Sequence, residues 1–456
     1  MNKIYDKLLK VQEQTNSFVT ILKPEEIKVN PNKDLPLADL NYVAKDNFNT
    51  IGIKTTASSN ILGNYIPVYN ATVINKLNNA GATLLGKTSM DELGMGGTNL
   101  SAATGPVYNP WDLTRIPGGS SGGSAAVMAT GTVDFALGTD TGDSIRKPAG
   151  YTGVIGVKPT YGRVSRYGVI PYASSMDHIG YFTSNVNNAA KILKEIAGFD
   201  PCDMTSSHTE VKDYTSLLDS NLKGKKIALI KNIYDLIAEQ TIKDSLDNLI
   251  KELELKGAKV DFVTLNEELL RSILPTYLII VNSEASANHS NLDGLRFGVS
   301  KTGEEMTDIM INSRTTGLSY NIRKRFVFGS YGLFEENQKD VYTKAQQIRR
   351  LVCDEYFNKT NEYDAVINVS NLHIAPKVDD INIDELNDEY LIGENHLVIA
   401  NFNGYPSMTL PLCFSNNMPI GLNITTKPFM EEEMFNIGLA IEEITKLKDL
   451  VAKGDK

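Results

Sequence analysis

Short apolar runs broken by glycine, serine and threonine fill the chain from about Leu35 to Gly180. That pattern predicts buried strands joined by functional turns rather than long surface helices. Beyond it, Val186, Ala189, Leu193 and Ile196 recur at helical spacing, which predicts a helix over 184–198, capped by Ser184 and stopped by Gly198. From Lys225 to Leu265 the order is strand, helix, strand: Ile227–Ile230 is apolar, Thr241–Leu255 is amphipathic, Gly257 breaks it and Val260–Val263 follows. Such a βαβ unit favours a parallel or mixed sheet. A more polar helical stretch runs from about Asn282 to Tyr356, and apolar segments return at Ala365–Val369, Ser407–Leu412 and Ile420–Ile424. A chain that leaves a sheet and comes back to it makes one interleaved α/β domain rather than two beads.

Composition and charge narrow the classes. With 41% hydrophobic and 22% charged residues, the chain has neither the charge excess of a disordered protein nor the apolarity of a membrane protein. A formal net charge of -10 speaks against a broad basic face that grips nucleic acid, so any nucleic acid would be held by a partner. Cys202, Cys353 and Cys413 are far apart and odd in number, which excludes a disulfide framework and a CxxC metal site and fits a reducing cytoplasm. The start, Met1 to Val11, reads as a short amphipathic helix with Ile4, Leu8 and Val11 on one face, not as a signal peptide. No apolar run is long enough to span a membrane, so the expectation is a cytoplasmic protein with no membrane contact.

The chemistry concentrates in two glycine-set serines. Ser120 lies in Pro117-Gly118-Gly119-Ser120-Ser121-Gly122-Gly123-Ser124, and Ser144 in Gly138-Thr139-Asp140-Thr141-Gly142-Asp143-Ser144-Ile145-Arg146. Glycine lets backbone approach a substrate closely and present amides to developing negative charge. The first run lacks the Gly-Lys-Ser/Thr ending of a phosphate loop; taken alone it is equally a turn that opens a buried helix. Upstream, Lys45 follows the apolar Val43-Ala44 at a strand end, where burial would lower its pKa and make it a base. The bland alternative is a snorkelling or ion-paired lysine. The histidines His178, His208, His289, His373 and His396 are scattered and read as core or surface residues rather than as members of a triad.

Lys45, the Gly118–Ser124 run and the Asp140–Pro148 run, followed by Gly156-Val157-Lys158-Pro159-Thr160-Tyr161-Gly162-Arg163, resemble the amidase signature family of serine hydrolases. Within it, Gly86–Glu92, Met95-Gly96-Gly97, Asn109-Pro110-Trp111-Asp112, Arg163–Gly168 and Ser174–Asp177 are similar to the A-type subunits of glutamyl-tRNA(Gln) amidotransferases. The resemblance implies one amidase domain over residues 1–456, a large mixed sheet covered by helices on both faces. In it, 35–180 would be the catalytic core and 181–456 the remaining sheet, the helical excursion and the donor-binding segments. It implies a Ser-Ser-Lys triad: Ser144 as nucleophile, Lys45 as neutral base and Ser120 as relay, preceded by a cis peptide bond. Amides around Thr141, Gly142, Asp143 and Ser144 would form the oxyanion hole, with no metal. Arg325 would bind the α-carboxylate of a glutamine donor and Glu394 its α-amino group, with Tyr277 as a third contact.

The same resemblance implies that this chain binds no cofactor itself. A B-type partner subunit would hold the tRNA and use ATP and Mg2+, with a small C-type subunit completing the complex. The acceptor would be Glu-tRNA(Gln), Asp-tRNA(Asn) or both. Competing readings are a stand-alone amidase of small amides and a structural subunit whose catalysis has lapsed. The last rests on Asp143, which stands where the family usually has glycine: its charge would oppose an oxyanion and its Cβ would resist a glycine's backbone angles. Glu394 stands where aspartate is usual. Asn368-Val369-Ser370, Tyr181 and Asn423 are further departures, expected around the pocket.

Overall fold

In the computed structural model, which describes residues 2–381 and 386–452, eleven strands form a single sheet. In chain order they are β1 (Phe18–Ile21), β2 (Asn41–Lys45), β3 (Thr83–Thr88), β4 (Phe135–Asp140), β5 (Ile155–Lys158), β6 (His178–Thr183), β7 (Lys226–Ile230), β8 (Lys259–Val263), β9 (Ala365–Val369), β10 (Ser407–Ser415) and β11 (Met418–Thr426). Across the sheet they run β1-β3-β2-β4-β6-β5-β10-β11-β9-β7-β8. The sheet is mixed: β3, β2 and β4 are parallel neighbours, as are β8, β7 and β9, and the strands between them pair antiparallel.

Burial on both faces explains why the strands of the first third are apolar without strict alternation. Tyr42 and Ala44 of β2, with Phe135 and Leu137 of β4, enter one core, while Val43 and Ala136 between them enter the other. The second core is closed by Leu8 and Val11 of the Asn2–Thr15 helix and by Ala125 and Val127 of the Gly122–Ala129 helix. Ile74 and Leu77 of the Thr72–Asn79 helix, and Ile192 and Leu193 of the Val186–Ile196 helix, cover the opposite face. The expected α/β sheet with helices on both faces is therefore present. No helix among the described residues is long and apolar enough to cross a membrane.

Several expected boundaries move for local reasons. The N-terminal helix extends to Thr15, with Leu8 and Val11 buried as the pattern required; Met1 lies outside the described residues. The helix expected over 184–198 spans Val186–Ile196, and its cap is Asn185, whose side chain accepts from Asn188 N at 2.9 Å. Ser184 stands one residue before the cap position, and its hydroxyl donates to Asp449 at 2.6 Å. Helical structure after β8 begins at Glu267–Arg271 and Ile273–Asn288, ahead of the expected Asn282. Pro275 hides that start, although proline is tolerated in a helix's first turn. Strand β1 was not foreseen.

Candidate active site

The carboxyl ends of the parallel strands β2 and β4 deliver the key groups, Lys45 from one and Asp140 from the other. Open α/β sheets characteristically place their sites at such ends. Lys45 is fully buried, and its Nζ lies 2.8 Å from Ser120 Oγ, 2.9 Å from Ser121 Oγ and 2.8 Å from Thr139 Oγ1. Burial lowers its pKa to about 7, against the opposing charges of Asp91, Asp140 and Asp177. Half the lysines are then neutral amines near neutral pH. A neutral amine has two N–H groups and one lone pair. Ser121 Oγ donates its own proton to Thr139 O at 3.0 Å, so it accepts from Lys45. With the second N–H on Thr139 Oγ1, the lone pair is left for the Ser120 O–H.

Ser120 is held by its turn. The Gly119–Ser120 peptide bond is cis, as the family resemblance implied. Asp91 fastens the segment: its N–H donates to Ser120 O at 3.2 Å, and its carboxylate accepts from Asn99 N at 2.9 Å and Ser101 Oγ at 2.8 Å. A Cβ on Gly119 would sit 2.1 Å from Asp91 Oδ2, so only glycine fits there. The following helix begins at Gly122, and its Ser124 donates to Leu137 O of β4 at 2.8 Å.

Ser144 lies in the loop between β4 and the Arg146–Thr152 helix. That loop is fixed by a fully buried ion pair. Arg146 donates Nε to Asp140 Oδ2 at 3.1 Å and one terminal nitrogen to Asp140 Oδ1 at 3.0 Å, with further bonds to Gly142 O, Leu397 O and Asn401 Oδ1. Burial alone would raise the Asp140 pKa; the Arg146 guanidinium instead holds it well below the usual carboxylate range. Arg146 thus ties its own loop to a segment far along the chain.

Among the described residues, the backbone N–H groups of Thr141, Gly142, Asp143 and Ser144 donate to no intramolecular acceptor. Four free amides beside one serine can hold an oxyanion. Ser144 is also joined to the relay segment, since Ser121 N donates to Ser144 O at 3.2 Å. Among the described residues, Ser120 Oγ and Ser144 Oγ form no hydrogen bond with each other, and Ser120 Oγ is engaged by Lys45. Such contacts often close only when substrate binds. Asp143 does not adopt a left-handed φ, so the expected conflict between its Cβ and a glycine-only conformation does not arise.

Beside this loop opens a cavity of about 530 Å³, bordered by Gly97, Asp143, Lys147, Tyr277, Arg325 and Glu394. The three donor-binding candidates therefore share one cavity with the serine loop. Arg325, on the Tyr320–Leu333 helix, is half-buried and donates to Tyr172 Oη at 3.2 Å. Tyr277 packs on the loop: a Cβ on Gly142 would meet its Oη at 2.9 Å. Glu394 is bound at 2.7 Å by Lys147 Nζ, a partner the sequence did not reveal. His373 borders the same cavity and pairs with Glu389 at 2.8 Å, whereas His178, His289 and His396 are buried in the fold.

The other departures are not pocket residues, contrary to expectation. Asn368 accepts from Ile230 N at 3.1 Å, Asn423 bonds Thr409 Oγ1 at 3.1 Å within the sheet, and Tyr181 donates to Ala189 O at 2.6 Å. Their side chains satisfy backbone and strand neighbours in the core. Ser121, Thr139, Asp91, Asn401 and Lys147 were missed. A signal existed for some: Ser121 adjoins Ser120, and Asp91 and Lys147 fall inside the quoted runs.

A mixed α/β sheet that presses a buried lysine against a glycine-set serine is the framework of a serine-based amidase. Comparison with known proteins agrees. A family model described as Amidase matches residues 1–435. The A-type subunit of the glutamyl-tRNA(Gln) amidotransferase from Caldanaerobacter subterraneus is 37% identical over 452 residues, 97% of this chain and 91% of that protein. Its counterpart from Sulfolobus acidocaldarius is 39% identical over 462 residues, covering 99% and 96%. The crystal structure of the corresponding glutamyl-tRNA(Gln) amidotransferase chain from Thermotoga maritima superposes with a TM-score of 0.82 at 32% identity, covering 100% of this chain and 95% of that one. The chain belongs to the amidase family.

Proposed function

We propose that this chain is the glutamine-hydrolysing A-type subunit of a tRNA-dependent amidotransferase. The observation that carries the reading is the buried, pKa-lowered Lys45 at 2.8 Å from Ser120, one loop away from Ser144 and its free amides. Glutamine enters the cavity with its α-carboxylate on Arg325 and its α-amino group toward Glu394. A bidentate guanidinium suits a carboxylate. Ser144 Oγ attacks the side-chain amide carbon; its proton passes to Ser120 Oγ as the Ser120 proton passes to Lys45 Nζ. The amides of residues 141–144 stabilise the oxyanion, each worth about 3 kcal/mol in comparable enzymes. As the C–N bond breaks, the proton returns by the same path and ammonia leaves. Water then attacks the acyl-serine, releasing glutamate.

Ammonia passes to partner subunits, where Glu-tRNA(Gln) becomes Gln-tRNA(Gln): a B-type chain holds tRNA and uses ATP and Mg2+, and a small C-type chain completes the complex. The net charge of -10 supports leaving tRNA to the partner. The test is glutamine hydrolysis by the chain purified with its partners. Ser144→Ala should lower kcat by about 1,000-fold or more; an unchanged rate refutes the assignment of the nucleophile.

A further inference from the structure

Asp143 presents a charge problem at this site. Its carboxylate stands one residue from the serine whose attack builds an oxyanion, and a single unpaired negative charge a few ångströms away slows such a step by orders of magnitude. Four residues on, Lys147 Nζ lies 3.5 Å from Asp143 Oδ2 and 2.7 Å from Glu394 Oε2. It also donates to Glu394 O at 2.7 Å. The backbone fixes this geometry, because Lys147 N bonds Asp143 O at 2.9 Å and so sets both side chains on one face of the first helical turn. All three groups border the cavity. Two carboxylates share one ammonium on this wall, and the guanidinium of Arg325 borders the same cavity.

We propose that Lys147 is a charge-compensating positioning residue: it neutralises Asp143 beside the oxyanion site and, through the same ammonium, holds Glu394 against the donor cavity. The two duties fall on different kinetic constants. Neutralising Asp143 matters when charge develops in the transition state and so acts on kcat; holding Glu394 matters for donor binding and so acts on KM. The inference rests on the proposed function, in which Ser144 attacks glutamine.

The test is a double-mutant cycle on glutamine hydrolysis by the partner-bound protein: wild type, K147M, D143G and K147M/D143G, with K147R as the charge-keeping variant and S144A as control. The expected result is a kcat loss of about tenfold to a hundredfold for K147M in the Asp143 background. In the D143G background the same change should cost less than about threefold in kcat, while KM rises in both backgrounds. K147R should keep kcat within about fivefold of wild type, since it preserves the charge. Equal kcat losses in the two backgrounds, or no loss in either, overturn the proposal, because a merely structural lysine would not distinguish them. Thermal unfolding identifies a misfolded K147M, in which case K147Q, which keeps a donor to Glu394 without the charge, takes its place in the cycle. Hydrolysis persisting in S144A sinks the site assignment itself; its loss, combined with equal K147 effects, sinks only the role of Lys147.

Discussion

Lowering the pH from 8 to 5 should shut down glutamine hydrolysis by protonating one lysine. Lys45 serves as a base only as the free amine, and burial brings its pKa to about 7. The neutral fraction is then about 0.9 at pH 8, about 0.5 at pH 7 and about 0.01 at pH 5, so kcat/KM should fall close to ninety-fold, with unit slope below the midpoint. Unfolding does not produce this fall through Lys45. Its pKa is lower in the folded state than in the unfolded chain, so the stability it contributes grows with pH from about 7 to about 10.5 and has no slope below 7, where both states are protonated. The assay is glutamate release by the partner-bound protein across that range, with thermal midpoints at each pH. Lys45→Arg is the companion perturbation: a guanidinium keeps its proton throughout, so the rate should drop to background at every pH. A flat profile between pH 5 and 8, or a Lys45→Arg variant that hydrolyses glutamine, would refute the assignment of Lys45 as the base.

Two further outcomes follow from the buried charges. Arg146→Met leaves Asp140 buried without its partner and should cost about 3–5 kcal/mol in urea unfolding, as breaking one side of a buried pair does; a loss under about 1 kcal/mol would mean the loop is held by other contacts. Arg325→Met removes a charged hydrogen bond of about 1.5–3 kcal/mol, so KM for glutamine should rise roughly tenfold to a hundredfold with kcat changed little. A KM that stays put would remove Arg325 from donor binding.

How far the sequence foretold this site depends on the separation of its parts. Ser120, Ser144 and Lys45 were legible because glycine-rich turns and a strand-end lysine advertise themselves locally. The strands β2 and β7 to β11 were legible from apolar runs, whereas β1, only four residues long between a helix and a polar loop, carries too little pattern to be read. Glu394 could be singled out by position but not by partner, because Lys147 lies 247 residues away along the chain. Thr139, which shares Lys45 with the serines, is likewise 94 residues from it and looks like any buried strand threonine. The cap of the Val186–Ile196 helix falls on Asn185, one residue past the expected Ser184, whose hydroxyl goes to the distant Asp449. Long-range satisfaction of polar groups decides such choices, and no local window contains it.

The bond from Arg146 to Asn401 spans 255 residues. During synthesis at about 5–20 residues per second, the serine loop therefore emerges about 13–50 seconds before the asparagine that locks it. A nascent chain carries the serine loop long before it carries the means to hold that loop in place. The same delay applies to Leu397, whose carbonyl takes another arm of the guanidinium. A chain cut short before this segment would carry the complete serine motif but lack two of the acceptors that hold Arg146 and, with it, the serine loop.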